Sequence, residues 1–198
     1  MSQDLLRSLV WTDYRLAVIF TVILPLILLI WAFVRRADTI QTLLMIYWRV
    51  SSLLAVTVYL MIGGFPFSFL TAFFAQILIP IGLWFWADLN EEIADSTKTP
   101  LKIVFTSWRW AVSVYCVLGA IATLPFLNCA LSEAAFSTAS CQVWTEAPLL
   151  FREYFHAGLN PSFLGFTLGI PGLVIYVVYL AYFVFVRLGK QGRTAIQQ

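Results

Sequence analysis

The sequence predicts an all-α integral membrane protein with five transmembrane helices. Of its 198 residues, 61% are hydrophobic and only 11% are charged, whereas about a quarter of the residues in a soluble domain are charged. Windows without Asp, Glu, Lys, Arg or His cover residues 16–34, 50–87, 110–132 and 157–186. One crossing needs about 20 mainly apolar residues, so the second window holds two helices and the others hold one each. This composition excludes an ordinary soluble enzyme, a disordered chain and a collagen-like fibre.

The chain is predicted to form a single transmembrane domain over residues 1–198, with helices at about 16–34, 40–63, 67–87, 101–125 and 163–186. The turn Gly63-Gly64-Phe65-Pro66 separates the second helix from the third, and the tip of a re-entrant loop is the alternative. A long outer connection is predicted over about 127–162. The residues Ser2–Trp11 are expected to form a loosely ordered tail. The alternative is an interfacial helix, because apolar residues recur there at helical spacing.

The distribution of basic residues predicts that the N-terminus faces outside and the C-terminus faces the cytoplasm. Five crossings place the two termini on opposite sides of the membrane. Nine basic residues fall on the side of the C-terminus, namely Arg35, Arg36, Arg49, Lys98, Lys102, Arg109, Arg187, Lys190 and Arg193. Three fall on the other side, namely Arg7, Arg15 and Arg152. The side richer in lysine and arginine faces the cytoplasm.

Two arginines inside predicted helices and four nearby acids form a candidate ion-pair or lipid-headgroup site. Arg49 and Arg109 each follow a tryptophan, and they are expected to extend toward the cytoplasmic headgroups. The alternative is that they pair with acids or bind a lipid phosphate, for which a guanidinium offers a fork of donors. A helical continuation of the third helix would place four carboxylates on one face, those of Asp88, Glu91, Glu92 and Asp95. We interpret that face as solvated or ion-paired and not as a metal site, which would need a second helix with ligands opposite.

Small residues in the fifth helix predict close helix packing. Gly165, Gly169 and Gly172 form a stripe that lets backbones approach where lipid gives no hydrophobic drive for association. We expect this stripe to contact the fourth helix, and contact with a partner protein is the alternative.

The outer connection contains two of the three cysteines. Cys129 and Cys141 are 12 residues apart and lie on the side of the membrane that permits disulfides. A bridge between them would close a loop whose chain entropy is worth about 3 kcal/mol. They are therefore a candidate disulfide.

Prolines interrupt the first, third and fifth helices, at Pro25, Pro80 and Pro171. Proline lacks an N–H and so frees the carbonyl four residues earlier, which is that of Thr21 in the first helix. Polar groups nearby or on other helices are expected to satisfy such carbonyls. We interpret these kinks as packing features, because no charged residue is predicted at the centre of the bilayer, where transporters need one.

The sequence contains no recognisable catalytic apparatus, so we predict a non-enzymatic protein with no catalytic residues, no cofactor and no metal site. Its one histidine, His156, excludes a bis-histidine haem within one chain. No phosphate-binding loop, Gly-x-Ser-x-Gly or His-Glu-x-x-His motif occurs. The net charge of +2 gives no basis for nucleic-acid binding.

Five stretches together resemble an uncharacterised family of small cyanobacterial integral membrane proteins, a domain-of-unknown-function family. They are residues 9–16, 47–50, 83–92, 106–110 and 186–193, and they include Trp-Ala-Asp-Leu-Asn-Glu-Glu and Ser-Trp-Arg-Trp. The resemblance implies a multi-pass protein of the thylakoid or plasma membrane of a cyanobacterium. It implies no activity and no catalytic residues.

These observations lead to two expectations for function. The first is an accessory or assembly component of a larger membrane complex, including a photosynthetic one, with the lipid bilayer and that complex as partners. The alternative is a small transporter or lipid-binding membrane protein that uses the kinked helices with Arg49 and Arg109.

Overall fold

The computed structural model describes residues 3–188 and 192–195 and is all-helical over them. Its longer helices are α1 (Gln3–Arg35), α2 (Asp38–Ile62), α3 (Ser68–Trp84), α4 (Ala87–Asp95), α5 (Pro100–Ala130), α6 (Glu146–Phe155) and α7 (Pro161–Arg187). Helices α1, α2, α5 and α7 are each long and apolar enough to cross a membrane, and α3 with α4 makes a fifth candidate. The predicted all-helical fold with several membrane-spanning helices is therefore confirmed. Lys190, one of the basic residues used for the orientation, lies outside the described residues.

Helix α1 begins at Gln3, so the expectation of a loosely ordered tail over Ser2–Trp11 is wrong from Gln3 onward. Its first turns pack Leu6 and Val10 against the outer connection, where both side chains are buried. Arg7 Nη2 also lies 2.6 Å from Glu146 Oε1. These tertiary contacts stabilise helical turns that the apolar window does not include, because helices in proteins depend more on packing than on propensity.

A π-helical turn precedes Pro25 in α1. Pro25 has no N–H for the carbonyl of Thr21, and Tyr47 on α2 donates its hydroxyl to that oxygen at 2.7 Å. Trp108 on α5 donates its indole N–H to the neighbouring carbonyl of Phe20 at 2.9 Å. Groups on other helices thus satisfy the distorted backbone, and the same bonds join α1, α2 and α5 around the largest buried core.

A tight turn joins α2 to α3. Gly64 has a φ of 74°, a left-handed conformation that glycine adopts without steric cost. Beyond the turn, Thr57 Oγ1 on α2 donates to Thr71 Oγ1 on α3 at 2.9 Å. The two helices therefore run antiparallel and in direct contact.

The third predicted span is broken. Helices α3 and α4 meet at 57°, on either side of an extended backbone at Trp86, so the expected continuation of the third helix into the acidic segment is wrong. Asn90 Nδ2 donates to Trp86 O at 2.7 Å. From the far end of the chain, Arg193 Nε donates to Phe85 O at 2.9 Å, and Arg193 O accepts from Ala87 N at 3.2 Å. These groups supply hydrogen bonds that a helix break leaves open.

The glycine stripe of α7 packs against α2, whereas the sequence analysis expected a contact with the fourth helix. A Cβ built on Gly165 would lie 2.6 Å from Gly63 Cα, and one on Gly169 would lie 2.9 Å from Leu60 Cδ2. Such a close approach requires that no side chain stands between the backbones. Gly165 of α7 lies beside Gly63 of α2, and Gly169 lies beside Leu60. The two helices therefore run antiparallel.

The outer connection is compact and largely helical. Cys129 and Cys141 lie at disulfide distance, with a Cα–Cα separation of 5.9 Å, and both are buried beside Phe69. Helix α6 follows and leaves Tyr154 and Phe155 more than two-thirds exposed, at 78% and 71%. Exposed aromatic rings next to a predicted span suit the membrane interface.

Candidate functional site

A cavity of about 300 Å³ opens between α2, α3 and α7. Glycines bring α2 and α7 together along one half of their contact, and larger side chains on the other half of α7 line the cavity. Its walls are mainly apolar and aromatic, and include Met45, Ile46, Leu78, Ile81, Phe85, Trp86, Tyr176, Tyr179, Leu180, Phe183 and Val184. The only charged side chains among its described lining residues are Arg49 and Arg187.

Arg49 lies near the middle of α2. It is 11 residues from Asp38 and 13 from Ile62, which is about 17 Å and 20 Å from the two ends of the helix. Its side chain is exposed and has no hydrogen-bond or ion-pair partner among the described residues. An ionisable side chain at such a position in a membrane span faces a cavity and indicates a ligand site.

The two arginines stand on antiparallel helices, and both line the cavity. Side chains on a helix lean toward its N-terminus, a rule that directs Arg49 toward Thr42 and Arg187 toward Phe183. Two cations on the walls of a mainly apolar space favour an anion there.

A second concavity of about 270 Å³ adjoins the first along α2 and α7. The two share Arg49, Tyr176 and Tyr179 as lining residues. The second then continues past Ser52 and Gly172 toward the glycine-packed half of α7. The two concavities adjoin along the contact between α2 and α7, and together we call them the α2–α7 slot.

Arg109 belongs to a different place from Arg49, although the sequence analysis grouped the two. Its side chain is 7% exposed, and its guanidinium lies 4.1 Å from the centre of the Trp84 ring, a cation–π contact. Arg109 Nη1 donates to Asn90 Oδ1, and Asn90 also donates to the carbonyls of Trp86 and Leu83. Arg109 therefore stabilises the break between α3 and α4, and none of its atoms lines the slot.

The predicted acidic face lies on α4 but does not pair with the two arginines. Glu91, Glu92 and Asp95 are exposed, and within the described part of the chain none forms an ion pair with Arg49 or Arg109. Asp88 Oδ2 accepts a hydrogen bond from Ala195 N at 2.7 Å. Across residues 3–188 and 192–195, no group of three or more His, Cys, Asp and Glu could hold a metal ion.

Sequence reasoning missed several polar residues that join helices. Asn90 lies among four acidic residues, which dominated the interpretation of this segment. Its role also depends on a helix break that no local pattern indicated. Tyr115 on α5 donates to Asp13 Oδ1 on α1 at 2.8 Å, a contact that no pattern in the sequence indicated. The pattern Glu153-x-x-His156 was also overlooked, and there the ring Nε2 of the histidine lies 3.0 Å from Tyr59 Oη.

Comparisons with known proteins identify a family. Residues 7–196 match the family model described as Protein of unknown function (DUF3177). No curated protein and no solved structure matches the chain significantly. The matched residues include the four helices α2, α3, α4 and α7, which form the α2–α7 slot and the α3–α4 break.

Proposed function

Because the chain belongs to the DUF3177 family of proteins of unknown function, we propose a function from its own geometry: a multi-pass membrane protein that binds an anionic amphiphile in the α2–α7 slot. The observation that carries this proposal is Arg49, a cation near the middle of an apolar helix, on the wall of a cavity with no carboxylate among its described lining residues. An anionic group offsets that charge, and the apolar walls suit a hydrocarbon chain.

Energetics supports the same conclusion. An arginine within a transmembrane helix costs up to about 2.5–3.5 kcal/mol on insertion scales, the value for the helix centre. A neutral side chain such as leucine would avoid this cost, so packing alone gives no reason for Arg49. A hydrogen bond to a charged group contributes about 1.5–3 kcal/mol, and a guanidinium can form two with one phosphate or carboxylate.

The test is lipid binding by the purified chain. The wild type, Arg49→Gln and the control Arg15→Gln are purified in mild detergent, and lipids bound from mixed phosphatidylglycerol and phosphatidylcholine are counted by native mass spectrometry. Arg15 is exposed on α1 and lines neither part of the slot. We expect Arg49→Gln to weaken phosphatidylglycerol binding about 10-fold or more and Arg15→Gln to leave it unchanged. Equal binding by all three proteins would refute the proposal.

A second function, the non-enzymatic accessory component of a larger membrane complex, is supported by the exposure of α7. Only 6% of its most apolar stretch is buried, against 22–39% in the other three single-helix spans. Its outer face is therefore free to contact either lipid or another protein, including a subunit of a photosynthetic complex. A photo-crosslinker at Val178, which is 64% exposed, should give one discrete protein adduct in native membranes. Lipid adducts alone, with a purified species of one chain's mass, would contradict this function.

We also propose the thylakoid or plasma membrane of a cyanobacterium as the location, with the N-terminus outside and the C-terminus in the cytoplasm. The family resemblance supports the first statement, and nine basic residues against three support the second. A C-terminal reporter should therefore be active in the cytoplasm. Activity confined to the exterior would reverse the orientation. Impermeant thiol reagents should reach Cys129 and Cys141 from outside, and only after reduction.

A further inference from the structure

The length of the α2–α7 slot matches one leaflet of a bilayer. Along α2 the slot extends from Thr42 to Val56, a distance of 14 residues or about 21 Å. A bilayer measures about 40–45 Å with its headgroups, so one leaflet measures about 20–22 Å. A small anion would occupy only the part of the slot near the arginines.

The charged side chains lie in the half of the slot nearer the start of α2. Thr42 and Arg187 line that half, Arg49 lies where the two parts meet, and Val56, Gly172 and Ile175 line the far part. The hydroxyl of Ser52 donates to the carbonyl of Arg49 at 2.7 Å, so it is already used within α2. A ligand that fits this gradient has an anionic group at one end and hydrocarbon at the other.

Two features shape the far part of the slot for hydrocarbon. Gly172 has no side chain, and a Cβ there would lie 3.1 Å from Val56 Cγ2, so a larger residue would fill the space beside α2. Tyr176 donates its hydroxyl to Val50 O at 3.2 Å, which leaves its ring as an apolar wall. An acyl chain gains many small dispersion contacts against such a surface.

We infer that the ligand is an acidic phospholipid whose phosphate lies between Arg49 and Arg187 and whose acyl chain extends through the slot past Ser52 and Gly172. This inference rests on the proposed function, which requires only that an anionic amphiphile binds at Arg49. It adds the phosphate, the direction of the lipid and the path of one chain. The headgroup faces the side of the membrane on which α2 begins.

The experiment fills the far part of the slot and leaves the arginines in place. Ser52→Leu adds a branched side chain inside the slot, and Ala55→Leu adds the same side chain on the exposed side of α2 outside it. Native mass spectrometry compares long-chain phosphatidylglycerol with dihexanoyl phosphatidylglycerol, which has the same headgroup but short chains. We expect Ser52→Leu to weaken only the long-chain lipid, by about fivefold or more, and Ala55→Leu to change neither.

A second pair of variants approaches from α7, in case Ser52→Leu fails to fold. Ile175→Trp narrows the slot, and Val174→Trp places the same ring outside it. Long-chain binding that survives both slot variants, while Arg49→Gln abolishes it, would overturn this inference and leave the proposed function standing. If Arg49→Gln has no effect, the proposed function itself fails. A long-chain fatty acid that binds as tightly as the phospholipid would overturn the choice of phosphate.

Discussion

The close approach of α7 to α2 predicts a graded response to alanine substitution. A Cβ on Gly165 would lie 2.6 Å from Gly63 Cα and 3.3 Å from Gly63 N, both backbone atoms. A Cβ on Gly169 would lie 2.9 Å from a Leu60 methyl and 3.2 Å from Leu60 N. On Gly172, the nearest atom is a methyl of Val56 at 3.1 Å. The obstacle thus changes along the stripe, from mainly backbone with the Phe65 ring at 2.9 Å beside Gly165 to side chain alone beside Gly172.

The expected losses of stability follow from the atoms that each new alanine side chain would displace. Ordinary contact begins at 3.4 Å, so Gly165→Ala requires the backbones to separate by about 0.8 Å, and overpacking of this kind costs about 1–3 kcal/mol. Gly172→Ala requires a shift of only about 0.3 Å by a valine side chain, and alanine gains up to about 1 kcal/mol of helix propensity over glycine. We therefore expect Gly165→Ala to destabilise most, Gly169→Ala less, and Gly172→Ala by close to zero.

Thermal unfolding in one detergent measures this order. For a chain of this length, 1 kcal/mol shifts Tm by about 2–4 °C, so Gly165→Ala should lower Tm by roughly 2–12 °C. Val178→Ala, on the exposed face of the same helix, is the control and should shift Tm by less than about 2 °C. If Gly172→Ala proves the most damaging of the three, α7 does not pack on α2 in this register and the reasoning is refuted.

Three further predictions concern hydrogen bonds. Tyr47→Phe removes the hydroxyl that satisfies the carbonyl before Pro25 and should cost about 0.5–2 kcal/mol, and an unchanged Tm would contradict this role. Asn90→Leu leaves the buried guanidinium of Arg109 without its acceptor and should lower the free energy of unfolding by about 1–3 kcal/mol in the same assay. An unchanged Tm would show that the α3–α4 break does not depend on the Arg109–Asn90 hydrogen bond. The hydrogen bond from Arg7 lowers the pKa of Glu146. The ionised carboxyl therefore stabilises the fold above its unfolded pKa, and this stabilisation is lost as pH falls through the folded pKa. Wild type should therefore lose Tm relative to Glu146→Gln between about pH 5 and pH 3, and parallel curves would exclude the contribution.

The fold class was predictable because its signals are local. An uninterrupted apolar window identifies a span from composition alone, and Gly64 marks a turn because few other residues adopt its backbone conformation. The helical structure from Gln3 to residue 15 was not predictable in this way. It depends on contacts with the outer connection, which is more than a hundred residues away in the chain.

The site was predictable only in its residue types. The sequence indicated that Arg49 and Arg109 are unusual, since charged residues inside spans are rare, but not that one lines a cavity and the other joins two helices. Which helix receives the glycine stripe was equally hidden, because small residues show that a close contact exists and do not identify the partner. The slot itself arises where α7 packs beside α2 and α3, which lie far earlier in the chain.

The hydrogen bonds that Arg193 and Ala195 form at the α3–α4 break have a consequence for biosynthesis. Asp88 and its partner amide are 107 residues apart, and a ribosome adds about 5–20 residues per second. The residues around the α3–α4 break are therefore translated roughly 5–20 s before Arg193 and Ala195, which complete the hydrogen bonds there. The earlier helices insert before these hydrogen bonds form, so their formation at the α3–α4 break is among the last steps in the folding of the new chain.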